Sequence, residues 1–145
     1  MENTLYGASP TSSERQWAAL AHLGALVLAL LTSWLAGVAG VLGAGAVYLL
    51  KRDESPFIAA HAREAVNFNL SMLLYAAVAC AVGVVLLGIT VFTLGLGLIL
   101  TAPAGLALLL VIAAIALMWL VCSIIATVKA WNGEAYRYPL TIRLF

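Results

Sequence analysis

Charge is what this sequence has least of. Only 9% of its residues are Asp, Glu, Lys or Arg, against about 25% in a soluble globular domain. From Ala65 to Val128 there is no charged residue and no histidine over 64 consecutive positions. Such a run excludes a water-soluble surface. With 65% hydrophobic residues and a mean hydropathy of +1.10, the chain reads as a polytopic membrane protein.

Other shortages narrow the function. The two cysteines, Cys80 and Cys122, both fall in apolar runs, so neither a disulfide framework nor a zinc ribbon is available. The two histidines, His22 and His61, lie far apart in sequence. No phosphate loop, no Ser, His and acid constellation and no paired carboxylates are present, so the expectation is a non-enzymatic protein without a cofactor or a resident metal. A formal net charge of +1 with scattered basic residues gives no nucleic-acid footprint. Glu2, Glu14 and Arg15 make a poor signal-peptide n-region, and the first apolar run is read as a permanent span.

The stretch from Ser55 to Ser71 is where charged protein meets apolar protein. Ser55 followed by Pro56 is a helix start, because Ser can cap free N–H groups and Pro surrenders one that has no partner. On that helix His61, Glu64, Asn67 and Ser71, spaced by three, three and four, share one face. Arg63 borders this stripe and Asn69 points away from it. The plain reading is an interfacial helix start over residues 56–66. Its sharper alternatives are interhelical hydrogen bonds or a polar cavity at Glu64, Asn67 and Ser71, or a metal held by His61 and Glu64, which lack a clear third ligand.

Around this stretch the chain divides into a flexible tail over 1–10 and one membrane domain over 11–145. Thr11 and Glu14 form a capping box ahead of the first span, about 15–32, with Trp17 at headgroup level and His22 one to two turns deeper. Thr32 and Ser33 leave a tight hairpin into the second span, about 34–50. There Ala36, Gly40 and Ala44 recur every four residues and allow close helix packing. The third span is expected at about 66–88 and the fourth at about 104–128. Between them the glycines and Pro103 suggest a membrane-embedded turn. Lys129, Trp131 and the Asn132-Gly133 cap follow, and the segment 132–145 alternates apolar and polar residues as an interfacial extended tail.

With four spans all seven cations, Arg15, Lys51, Arg52, Arg63, Lys129, Arg137 and Arg143, fall on one side. Five spans would move Lys129, Arg137 and Arg143 outside, against the positive-inside rule. The expected fold is therefore an all-α membrane protein of four transmembrane helices in two antiparallel hairpins. Both termini face the cytoplasm of a bacterium, and the chain is a multi-pass protein of the cytoplasmic membrane.

Three stretches, Trp17 to Leu23, Lys51 to Asn69 and Gly133 to Arg143, together resemble a family of small bacterial membrane proteins of unknown function. These Tic-twenty-like proteins are distant relatives of the twenty-kilodalton subunit of the chloroplast inner-envelope protein translocon. The resemblance implies the same four-helix domain with both ends cytoplasmic. It does not carry translocation with it. The expected role is that of a structural or accessory subunit whose partners are the lipid bilayer and another membrane protein or a second copy. The alternative is an oligomeric channel or translocase-like component.

Overall fold

The computed structural model describes residues 9–32 and 36–144. It contains four helices: α1 (Ser12–Thr32), α2 (Ala36–Lys51), α3 (Pro56–Phe92) and α4 (Leu98–Trp131). Three of them, α1, α3 and α4, are long and apolar enough to cross a membrane, while α2, with 16 residues, is shorter. Of the hairpin expected at Thr32 and Ser33, Thr32 ends α1 and Ser33 lies outside the described residues, as do residues 1–8 of the tail expected over 1–10.

Local chemistry sets the start of α1 and the end of α4. Thr11 and Glu14 close their capping box reciprocally: Thr11 N–H donates to Glu14 Oε2 at 2.8 Å and Glu14 N–H to Thr11 Oγ1 at 3.2 Å. Helix α4 ends in a Schellman turn, with Glu134 N–H to Lys129 O, Gly133 N–H to Ala130 O and Gly133 at a φ of 79°.

The chain forms two compact units. The first comprises residues up to Ser71 together with Leu120–Phe145, and the second Met72–Trp119. Helices α3 and α4 each contribute to both. The core of the first unit is built from small residues, with Ala21, Ala25, Ala44, Ala62 and Ala65 meeting Val47 and Ile58. Alanines let helix backbones approach closely, which favours packing where hydrophobic drive is weak.

In the second unit α3 continues unbroken to Phe92, and α4 begins at Leu98 rather than near residue 104. The apolar link is thereby reduced to one tight turn. Its closure is a second Schellman motif, with Gly95 N–H to Thr90 O at 2.8 Å, Leu94 N–H to Val91 O at 3.0 Å, and positive φ at Leu94 and Gly95. Thr90 and Thr101 hydroxyls meet at 2.6 Å across the turn. Pro103 lies inside the first turns of α4, where the absent N–H removes a single bond to Ile99 and does not end the helix.

Candidate functional site

The polar stripe on α3 is covered by the chain's own C-terminal segment. Glu64 Oε1 accepts from Tyr138 N–H at 3.0 Å and from Arg143 Nη2 at 2.9 Å. Asn67 Oδ1 accepts from Leu144 N–H at 3.1 Å, and Ser71 Oγ accepts from Ile142 N–H at 2.9 Å. Ser71 in turn donates to the Asn67 carbonyl at 2.7 Å. Residues 138–144 form no regular strand, so their main-chain donors would be unpaired; the helix side chains supply the acceptors a sheet would have given.

Beside this strap runs a buried hydrogen-bond chain. The Tyr138 hydroxyl lies 3.0 Å from His22 Nδ1, and His22 Nε2 lies 2.9 Å from His61 Nδ1. All three side chains are buried. Ser123, also buried, interacts with the Tyr138 hydroxyl; with Ser123 as the donor, the tyrosine proton goes to His22 Nδ1. His22 then carries its proton on Nε2 and donates to His61 Nδ1, which assigns the His61 proton to Nε2. His61 Nε2 has no partner at hydrogen-bond geometry among the described residues; the Glu134 main chain is the polar group that faces it. Burial pushes the Tyr138 hydroxyl well above the ordinary tyrosine range, and Ser123 offsets part of that rise. Tyr136, hydrogen-bonded to Cys122, is pushed up to about 12 mainly by burial.

Aromatic packing fixes the same residues. Tyr138 stacks on Phe68 with ring centroids 3.8 Å apart and planes within 9°, and Phe57 lies 4.6 Å from the His61 ring. The tail is held by polar ties and by a stacked ring together.

The remaining residues singled out from sequence have separate places. Gly40 faces Asn69, whose side chain occupies the space a Cβ would need, and Gly43 faces Leu28 and the Ala25 backbone. Ala44 is in the core; the side chain of Ala36 is outside the described residues. Lys51 Nζ lies 4.8 Å from the centre of the Trp17 ring and 2.8 Å from Glu54. Arg52 is 3.7 Å from Asp53, Lys129 pairs with Glu134, and Arg63, Arg137 and Trp131 are exposed. Among the described residues no three His, Cys, Asp or Glu side chains cluster as metal ligands, and His61 turns toward His22 rather than toward Glu64.

Sequence reasoning did not single out Tyr138, Asn69 and Ser123 as parts of the site. The alternation over 136–144 signals an extended segment with one apolar edge. It does not say which helix receives it.

Residues 13–145 match the family model for magnetosome magnetite crystal formation proteins, MamF_MmsF. The chain belongs to that family. This match overturns the resemblance to the translocon-subunit relatives. The three stretches that carried that resemblance all lie inside the matched region, and they hold the turn that caps α4, much of the core of the first unit and the ties to the tail. Such features report a way of packing helices, which unrelated roles can share. No match is found among curated proteins or among solved structures.

The family places the protein in the membrane. It connects the fold with the formation of magnetite crystals.

Proposed function

We propose that this chain is a non-enzymatic accessory protein of the magnetosome membrane. In this reading it acts in magnetite crystal formation by packing with other membrane proteins or with copies of itself. The observation that carries this reading beyond the family match is the fate of the α3 stripe. Glu64, Asn67 and Ser71, the groups that would line a polar cavity, accept from main-chain and side-chain donors of the C-terminal segment. Acceptors used this way hold a tail in place and are poorly suited to coordinating a moving solute.

The apolar exterior supports a membrane setting. Large residues such as Leu94, Ile99, Leu100 and Val84 are strongly exposed, which lipid tolerates and water does not. The proposed arrangement is two antiparallel hairpins with the seven cations and both termini on the cytoplasmic side.

The test is genetic and morphological. Deleting the gene in a magnetite-forming bacterium is expected to alter crystal size or shape under electron microscopy, with recovery on complementation. Unaltered crystals would remove the role. Mild-detergent purification is expected to recover a defined oligomer or a membrane partner, and liposomes carrying the purified protein are expected to show no ion flux. Membrane-impermeant thiol labelling of single cysteines placed at Lys51 and Arg137 is expected to reach both from one side.

A further inference from the structure

Among the described residues Arg15, Arg63 and Arg137 make no ion pair, and of these Arg15 lines a cleft. Arg15, Ser12 and Gln16 from the start of α1 and Trp131 from the end of α4 line an open cleft of about 110 Å³. Each enclosed water needs roughly 10–15 Å³ of such space, so the cleft has room for a phosphate group. Arg15 makes no ion pair among the described residues, whereas Lys51, Arg52, Lys129 and Arg143 each have one.

The Arg15 side chain is held by the fold. A Cβ on Gly133 would lie 3.2 Å from Arg15 Cδ, so the glycine that caps α4 also makes room for the arginine stem. The nearby carboxylates are committed elsewhere: Glu14 accepts from Thr11 and Ser55, and Glu134 pairs with Lys129. The cleft thus offers a guanidinium, a hydroxyl, an amide and an indole ring, with no acidic group in its lining.

Its depth in the bilayer selects the ligand. The first turn of α1 and the last turn of α4 end two helices long and apolar enough to cross a membrane, and in the proposed arrangement they lie where Trp and Arg meet headgroups. The abundant anion at that level is the lipid phosphodiester, which the planar fork of arginine matches with two parallel hydrogen bonds. We propose that this cleft binds the phosphate of an anionic phospholipid. A zwitterionic lipid brings an ammonium for which the lining has no carboxylate.

The inference rests on the proposed placement of these helix ends in the membrane and does not depend on the role in crystal formation. Its test is native mass spectrometry of the full chain, purified in mild detergent and offered phosphatidylglycerol or phosphatidylcholine. The unaltered protein is expected to retain phosphatidylglycerol in preference, and Arg15→Gln to lower that retention about tenfold, as loss of a charge-assisted pair implies. Arg63→Gln, which removes an exposed cation that likewise has no ion pair among the described residues, is expected to leave retention unchanged. Millimolar inorganic phosphate should not displace the lipid. Equal loss in both variants, no headgroup preference, or displacement by phosphate would each overturn the site. Should Arg15→Gln not fold, the exposed Trp131→Ala carries the same comparison, and undiminished retention in it overturns the site as well.

Discussion

At the scale of single residues, Tyr138 ties the tail to the rest of the first unit in three ways. Its ring stacks on Phe68, its hydroxyl donates to His22, and its N–H donates to Glu64. Tyr138→Phe keeps the ring and leaves His22 Nδ1 as a buried acceptor without its donor. An unmade buried hydrogen bond costs about 1–3 kcal/mol, so the variant is expected to melt earlier in thermal denaturation followed by circular dichroism. His22→Ala should cost more, since it also breaks the bond to His61 and leaves a cavity beside the buried His61 and Tyr138 rings.

The tyrosines also set an alkaline limit. Tyr136 titrates near 12 in the folded chain against an ordinary value of 10.0, so the unfolded state loses its proton first. The stabilising contribution is complete below pH 10 and is lost as pH rises toward 12, because there the unfolded chain binds fewer protons than the folded one. Tyrosinate absorbance is expected to lag behind that of free tyrosine and to appear together with unfolding. Tyr136→Phe should shift the onset to higher pH.

At the scale of helices, α2 offers an internal contrast. Gly40 has the Asn69 side chain where a Cβ would go, whereas Gly45 has open space. Gly40→Ala must push Asn69 aside and lose its bond to the Ala65 carbonyl, and overpacking of this kind costs about 1–3 kcal/mol. Gly45→Ala should instead stabilise, by up to about 1 kcal/mol, because alanine is the better helix former. Melting temperatures of the two variants in one detergent are expected to move in opposite directions.

Much of this level was legible beforehand. Thr11 with Glu14, Pro56 and Asn132-Gly133 mark helix ends by chemistry confined to four or five residues, and such signals survive whatever the rest of the chain does. The turn near residue 94 was not legible in the same way. Its left-handed residues are Leu94 and Gly95, and an apolar leucine at that position carries no turn signal. Of the glycines that mark the link in the sequence, at 88, 95, 97 and 105, only Gly95 takes a positive φ in the turn, and α3 and α4 run through 88 and 105 as regular helix. The stripe His61, Glu64, Asn67 and Ser71 was readable as a face, but its occupant comes from more than 70 positions away. No periodicity encodes a partner at that separation.

At the scale of the molecule, the C-terminal segment is the piece whose loss should be most visible. Removing residues 138–145 would leave Glu64, Asn67 and Ser71 without the donors they now receive. Buried acceptors stripped of partners draw in water or reorganise. A cysteine placed at Ser71 is expected to react slowly with maleimide in the full chain and at least several-fold faster after truncation. Equal rates would show that the tail does not shield the helix.

The way the tail is held has an evolutionary corollary. At Ile142 and Leu144 the helix grips main-chain amides, which every amino acid but one possesses. Sequence drift at those two sites should therefore be almost free, with proline as the forbidden letter. Because amides look alike on every polypeptide, the same groove would accept the corresponding segment of a neighbouring copy, which makes exchange of C-termini between adjacent molecules a low-cost route to a dimer.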